Sequence, residues 1–372
     1  MTRIAYIVHN LSDSAVARRI QMFHEAGAEV VVAGFCRDEV APPVVAGAPA
    51  LSLGRTHDAA LVQRGFQVLR SVIDCQALVH HCRGADVIVA RSLEALAPAV
   101  RARAQAHIPR LVYECLDIHR TLIGTSMKSR ALRAIERGLL RRADLVLYSS
   151  PSFRQAYLEP LQKLTLPMLL VENKLLQLDG SPPHGIMSIP TGPPWRIGWF
   201  GNLRCRRTLS MLSALAEAHN GQIEILVAGK PSPAEFPDFA RAIDRPWVTY
   251  HGPYVADQLP ELYGKCHFAW AIDYFEEGLN STWLLPNRLY EAASFGVVPI
   301  ALAGVATGHW LAQRGAGVLL QGGNEAVKES ALLKQLDDRA YRDLHAAMVA
   351  LPRGDVIADS GDCINLLGAI AG

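Results

Sequence analysis

The chain reads as two Rossmann-like, doubly wound α/β domains in tandem. Three observations predict this class. The length of 372 residues favours two cores, because a single core stops growing near ~250 residues. Short apolar runs alternate with helical segments, the order that a parallel sheet with crossover helices requires. A stretch dominated by proline and glycine, LQLDGSPPHGIMSIPTGPP over 176–194, divides two such series and reads as a linker.

In the first series Ile4 to Val8 is continuously apolar, as a strand covered on both faces must be. Ser12 or Asp13 can cap the helix that follows, and Gly27 can end it. Glu29–Gly34 reads as a second strand. Further strands are expected at Asp86–Ala90, Leu111–Glu114, Asp144–Tyr148 and Met168–Val171. These elements make a first domain over 1–175. The second series places strands at Arg196–Phe200, Ile223–Ala228, Trp247–Tyr250, Phe268–Ile272, Val297–Ala301 and Gly317–Leu319. Helices are expected over 206–219, 255–264, 286–295, 306–313 and 324–337. These elements make a second domain over 195–355. The tail, 356–372, reads as one more helix that packs back on the first domain. Ligands of such sheets sit at the C-terminal ends of the strands, here expected to face a cleft between the domains.

Composition excludes several classes. Half of the residues are hydrophobic and 19% are charged, so the chain is ordered and globular. A formal net charge of +2 argues against a general nucleic-acid binder. The seven cysteines are scattered and never form a C-x-x-C pair, which fits buried thiols in a reducing compartment. The N-terminal apolar run is too short for a signal peptide, and no stretch reaches the ~20 apolar residues of a membrane span. A cytoplasmic protein is expected, peripheral at most on the membrane's inner face.

The strongest motif is Leu285-Pro286-Asn287-Arg288-Leu289-Tyr290-Glu291-Ala292, followed by Gly296 and Val297-Val298-Pro299-Ile300. Proline suits the first turn of a helix, and Glu291 falls one turn inside it. A carboxylate there can accept two hydrogen bonds from a ribose diol, while Asn287, Arg288 and the helix-start amides can meet a diphosphate. An ordinary amphipathic helix with a surface glutamate fits the spacing equally well. This block resembles the P-x-(K/R)-x-x-E…G-x-P-(V/I) block in the donor domain of GT-B glycosyltransferases. The resemblance implies that Glu291 binds the donor ribose and that the Asn287–Arg288 turn meets the phosphates.

A second segment, Ile197-Gly198-Trp199-Phe200-Gly201-Asn202-Leu203-Arg204, is a strand ending in a glycine turn. Gly201 lets the backbone approach a phosphate, and an arginine can neutralise a leaving diphosphate. Its place matches the first strand-loop of the family's donor domain, with Asn202 in the turn. Arg204 is preferred to Arg206 because it lies nearer. His251-Gly252-Pro253-Tyr254 resembles the loop against the donor base, and an ordinary turn is the alternative.

In the first domain, Tyr113-Glu114-Cys115-Leu116-Asp117-Ile118-His119 follows a strand. Inverting transfer needs a base for the acceptor hydroxyl. Asp117, just beyond the strand, is the first choice. Glu114 is the second, and His119 is expected to orient the base or touch the donor. His9 can line the cleft, and Asp13 serves as a helix cap or in the acceptor site, the cap being preferred. The opening IAYIVHNLSDSAVARRIQMFHEAGAEVVVAGF is similar to bacterial exopolysaccharide glycosyltransferases of the succinoglycan type, which extend lipid-linked oligosaccharides at the cytoplasmic membrane face. The resemblance implies a UDP-sugar donor, UDP-glucose favoured. Many retaining members carry a glutamate eight residues before the ribose glutamate. Trp283 stands there, which favours inversion.

No D-x-D motif and no His/Cys ligand cluster occurs, so no metal and no cofactor is expected. Between Arg120 and Arg142 the basic residues Arg120, Lys128, Arg130, Arg133, Arg137, Arg141 and Arg142 face one acid, Glu136. Leu132, Ile135, Leu139 and Leu140 are interleaved at helical spacing. Such a helix can lie on anionic lipid, face a pyrophosphate-linked acceptor, or present a solvated basic face over a core stripe, the last being preferred. Two other readings remain: a nucleotide-sugar 2-epimerase of the same fold, and a non-catalytic sugar or nucleotide binder.

Overall fold

The computed structural model describes residues 1–57, 61–179, 192–322 and 337–372. Most of the expected linker, and the helix expected over 324–337 apart from its last residue, lie outside them. The chain divides into two units. Unit 1 comprises Met1–Glu172, Leu176–Leu178 and Ala358–Gly372; unit 2 comprises Asn173–Leu175 and Asp179–Ile357.

Unit 1 opens with β1 (Arg3–Val8), α1 (Ser14–Glu25), β2 (Glu29–Cys36), β3 (Val44–Val45), β4 (Ala48–Arg55), α2 (Leu61–Ile73) and α3 (Gln76–Cys82). It continues with β5 (Val87–Arg91), α4 (Leu93–Ala106), β6 (Arg110–Cys115), α5 (Arg120–Ile123), α6 (Met127–Leu140), β7 (Leu145–Tyr148), α7 (Pro151–Phe153) and β8 (Met168–Leu170). The sheet order is β3-β4-β2-β1-β5-β6-β7-β8, parallel except for the β3–β4 pair. Ile4 to Val8 is buried throughout, which is why this strand lacks the alternation of a half-exposed one. In one helical layer α4 packs against α2, α3 and α6.

The short strands β9 (Leu175–Leu176) and β16 (Ile357–Ala358) mark where the chain passes between the units. Unit 2 runs β10 (Trp195–Leu203), α8 (Arg206–Ala218), β11 (Ile223–Pro231), α9 (Phe239–Ile243), β12 (Val248–Gly252), α10 (Leu259–Tyr263) and β13 (Phe268–Trp270). After these come α11 (Asn280–Trp283), α12 (Asn287–Ser294), β14 (Val298–Leu302), α13 (Ala306–Gln313), β15 (Val318–Leu320), α14 (Asp338–Val349) and α15 (Arg353–Val356). Its parallel sheet has the order β12-β11-β10-β13-β14-β15, over a core that includes Trp199, Phe268, Trp270 and Tyr290. The tail helix α16 (Ser360–Ala371) belongs to unit 1. It packs on α1, Ser360 Oγ donating to Glu25 Oε1 at 2.6 Å.

Each strand expected from the sequence forms, with shifted ends. The pair β3–β4, whose residues are partly exposed, was not expected. The helix expected over 255–264 divides into a 3₁₀ turn, Ala256–Gln258, and α10. Pro286 is the N-cap of α12, one position before the turn expected for it.

Candidate active site

In unit 2 the strand order reverses between β10 and β13, so the carboxyl ends of these strands form the switch point where ligands bind in such sheets. The strand expected to end in a turn at Gly201 runs on to Leu203; within it Gly201 has φ 110°, and Gly229, its register partner on β11, has φ 135°. A Cβ on Gly229 would lie 1.8 Å from the Gly201 carbonyl oxygen, so only glycine permits this approach. A Cβ on Gly201 would meet no atom within 4 Å. Backbone at Gly201 therefore borders open space. Asn202 beside it is exposed, and Gly252 turns the end of β12 with φ 104°.

Arg204 reaches from this turn to Asp273, Nη2 to Oδ2 at 3.3 Å, and lies over the Phe275 ring at 4.7 Å. Asp273 follows β13, so the guanidinium is held at the switch point. Arg206 turns instead to the Glu235 carbonyl, and Arg207 pairs with Glu277 over the Tyr274 ring. Asn287 is the first residue of α12. Arg288 donates from Nη1 to the Trp270 carbonyl, at the end of β13, at 3.3 Å. Glu291 Oε2 accepts from the Tyr263 hydroxyl at 3.0 Å. Tyr254 meets Phe200 edge-on at 6.3 Å. Burial and then the Glu291 charge push the Tyr254 phenol up, with Arg288 opposing, and the same causes act on Tyr263. The structure thus brings Tyr254, Arg288 and Glu291 into one neighbourhood.

In unit 1 the order reverses between β1 and β5. Glu114 is buried there, its Oε2 accepting from the Tyr6 hydroxyl at 2.6 Å and its Oε1 from Arg19 Nε at 2.8 Å. Arg91 Nη1 lies 3.3 Å from Oε2. Burial alone would raise its pKa, but Arg19, Arg91 and Tyr6 outweigh burial and hold it at about 2. A carboxylate engaged in this way is a poor proton acceptor at neutral pH. The expectation of Glu114 as a base is corrected: it anchors β1, α1, β5 and β6. Ser92 follows β5 with φ 76°, a strain of ~1–3 kcal/mol, its N–H donating to the Glu114 carbonyl at 3.0 Å.

Asp13 caps α1 by accepting from Ala15 N at 2.9 Å, and its other oxygen lies 3.4 Å from His9 Nε2. Burial pulls the His9 pKa down to about 4 against the pull of Asp13, so this imidazole is neutral at physiological pH. His119 caps α5, Nδ1 accepting from Thr121 N at 3.2 Å, which leaves the proton of the neutral ring on Nε2. In the neutral ring Nε2 is therefore a donor, not a base. Asp117 is exposed in the segment after β6. Its charge acts on His119 and on Glu94, and Glu94 pairs with Arg64 of α2. Of the three candidate acids of this unit, Asp13, Glu114 and Asp117, only Asp117 is exposed.

The basic stretch is α5 and α6 with their flanks. Arg133 is bound to the carbonyls of Leu122 and Gly124, and Arg137 to those of Leu161 and Gln162. Glu136 is buried among Tyr113, Tyr157 and Gln162. Ile135, expected in the core stripe, points outward. Among the described residues no group of three or more His, Cys, Asp or Glu could hold a metal ion, and no helix is long and apolar enough to cross a membrane.

Several site residues were not singled out from sequence: Gly229, Tyr263 and Asp273 in unit 2, and Arg19, Arg64, Arg91 and Glu94 in unit 1. Gly229 carried a usable signal, as the glycine that ends a strand-like run. The others are recognised only by what they touch.

Two Rossmann-like units, with a furnished switch point in the second, give the GT-B fold class. Residues 14–162 match the model of the glycosyl transferase 4-like domain. The whole chain is 39% identical, over 94% of the relative's length, to succinoglycan biosynthesis protein ExoL of Rhizobium meliloti. Sucrose-phosphate synthase of Thermosynechococcus elongatus superposes with a TM-score of 0.71 at 16% identity, covering 100% of this chain and 96% of that one. Anabaena HepE in complex with UDP-glucose gives 0.71 at 13% identity, with 99% of each chain covered. The chain belongs to this family of GT-B glycosyltransferases.

Proposed function

We propose that the enzyme transfers glucose from UDP-glucose to a lipid-linked oligosaccharide in exopolysaccharide synthesis, with inversion and without a metal. The observation that carries this reading is the Tyr263-oriented Glu291 carboxylate, one turn into α12 and in the neighbourhood of Arg288 and Tyr254. Glu291 holds the ribose diol. Tyr254 and Gly252 border the base, and Gly201, Asn202, Arg204 and the Asn287–Arg288 turn meet the diphosphate. ExoL is named for succinoglycan biosynthesis and the HepE structure contains UDP-glucose, which supports the pathway and donor assignments. This work belongs to the cytoplasmic face of the membrane, where nucleotide sugars are available.

In the reaction, Asp117 takes the proton of an acceptor hydroxyl as its oxygen bonds to the anomeric carbon. The bond from that carbon to the diphosphate oxygen breaks, and UDP leaves with the electron pair. Arg204 and the amides at the start of α12 stabilise the departing charge, so turnover is expected to persist in EDTA. Trp283 offers no carboxylate for a retaining route. Glu291→Ala should weaken UDP binding by ~1–3 kcal/mol, the scale of losing charged hydrogen bonds. Calorimetric titration of a folded variant checks this, and an unchanged affinity would remove Glu291 from the donor site.

A further inference from the structure

Arg204, between β10 and α8, and Arg207, in the first turn of α8, both bind the short segment that follows β13. Arg204 Nη2 lies 3.3 Å from Asp273 Oδ2, and its guanidinium stands over the Phe275 ring at 4.7 Å. Arg207 repeats the arrangement: it pairs with Glu277 and lies over the Tyr274 ring at 4.1 Å. Each guanidinium thus meets a carboxylate through an Nη and an aromatic ring on its face, the contacts that a planar cation makes best. The segment is also tied internally. Asp273 Oδ1 accepts from Phe275 N at 2.9 Å, and Leu279 N donates to the Glu276 carbonyl at 3.0 Å.

The two members of the first pair differ in freedom. The Asp273 side chain is 8% exposed and the Arg204 side chain 40%. The carboxylate is the fixed partner, with one oxygen on a backbone N–H and the other on the cation. Arg204 is a long side chain that would otherwise lose rotamer freedom when a ligand arrives. Among the described residues it makes no other hydrogen bond, so its remaining N–H donors are open to an anion at the switch point.

We propose that Asp273 is a positioning residue for donor cleavage: with Phe275 it holds Arg204 in the orientation that receives the departing diphosphate. This rests on the reading above that Arg204 meets that group. Departing UDP carries one negative charge more than bound UDP-glucose, so a guanidinium already in place favours the transition state over the ground state. The other role open to the carboxylate is that of a competitor, an anion that neutralises Arg204 until the diphosphate displaces it. The two roles predict opposite results. Loss of a positioning residue slows transfer. Loss of a competitor tightens UDP binding and leaves transfer at least as fast.

Asp273→Asn separates them. An amide has one acceptor oxygen, which can serve Phe275 N or Arg204 but not both. The pair is partly exposed and adds little to stability, so the variant should fold as the wild type does. The readout is UDP release from UDP-glucose with a lipid-linked oligosaccharide acceptor. The variant's kcat should fall about threefold to tenfold, the scale of ordering one long side chain, with KM for UDP-glucose little changed. Calorimetry should show UDP weakened more than UDP-glucose. Phe275→Leu, which removes the ring beneath the cation, should move both readouts the same way by a smaller factor. Arg204→Gln should lose about 10²–10³-fold in kcat. Adding Asp273→Asn to it should cost nothing further, because a residue that acts through Arg204 has no effect without it. Multiplying losses in the double variant would overturn the proposal, as would an Asp273→Asn enzyme with tighter UDP binding or wild-type kcat. If Arg204→Gln transfers sugar like the wild type, the reading of Arg204 itself fails. If Arg204→Gln is slow and Asp273→Asn is not, that reading stands and the proposal falls.

Discussion

Asp117→Asn is expected to fold, to bind UDP as the wild type does, and to lose about 10²–10⁴-fold in sugar transfer, the usual worth of a positioned base. The expectation rests on elimination as well as placement. Glu114 is buried and engaged by Arg19, Arg91 and Tyr6, Asp13 is held as a cap, and His119 spends Nδ1 on Thr121. Asp117 follows β6 at the carboxyl end of the unit 1 sheet, where its carboxylate is exposed. Single-turnover transfer at matched nucleotide occupancy is the measurement. Near-native transfer by the variant would remove Asp117 from the mechanism, and a retained anomeric configuration would remove the need for a base.

Glu114→Gln should act on stability. It leaves Arg19 and Arg91 buried beside a neutral amide, and breaking a buried pair in this way costs about 3–5 kcal/mol. The acid dependence of the wild type follows from the same group. Its pKa is lowered from 4.5 to about 2 in the folded chain, so the unfolded chain binds the proton first. The stabilisation is complete above the unfolded value and disappears as pH falls from about 4.5 towards 2, a loss of about 3 kcal/mol. Denaturant midpoints for unit 1 across this window check both statements. The variant should start less stable and should lose less on acidification. A midpoint equal to that of the wild type at neutral pH would contradict the anchoring role.

The fold was legible in the sequence because parallel strands are buried on both faces, so runs such as Ile4–Val8 and Val297–Ala301 stand out without any alternation. The β3–β4 edge was missed for the converse reason. In unit 2 the helix that carries Glu291 and the positive φ of Gly201 were legible, because a proline before a periodic run and a glycine after an apolar run are local patterns. Asp273, the partner of Arg204, and Tyr263, the partner of Glu291, were not, because these contacts span 69 and 28 residues and leave no local pattern. Glu114 shows the limit most clearly. Its position at a strand end suits a base, and only the approach of Arg19 from 95 residues away makes it an anchor. The basic stretch was only partly legible for a similar reason: residue counts do not distinguish an arginine facing solvent from one bound to a carbonyl, as Arg133 and Arg137 are.

The central claim is that this GT-B enzyme uses UDP-glucose to extend a lipid-linked oligosaccharide. The most direct test is to incubate purified protein, in EDTA, with a lipid-linked oligosaccharide acceptor and UDP-, GDP- or dTDP-glucose in turn, and to analyse the acceptor by mass spectrometry. The account predicts that UDP-glucose alone gives efficient extension by one hexosyl unit, with release of UDP. Failure of all three donors, or extension from GDP- or dTDP-glucose in preference to UDP-glucose, would contradict it.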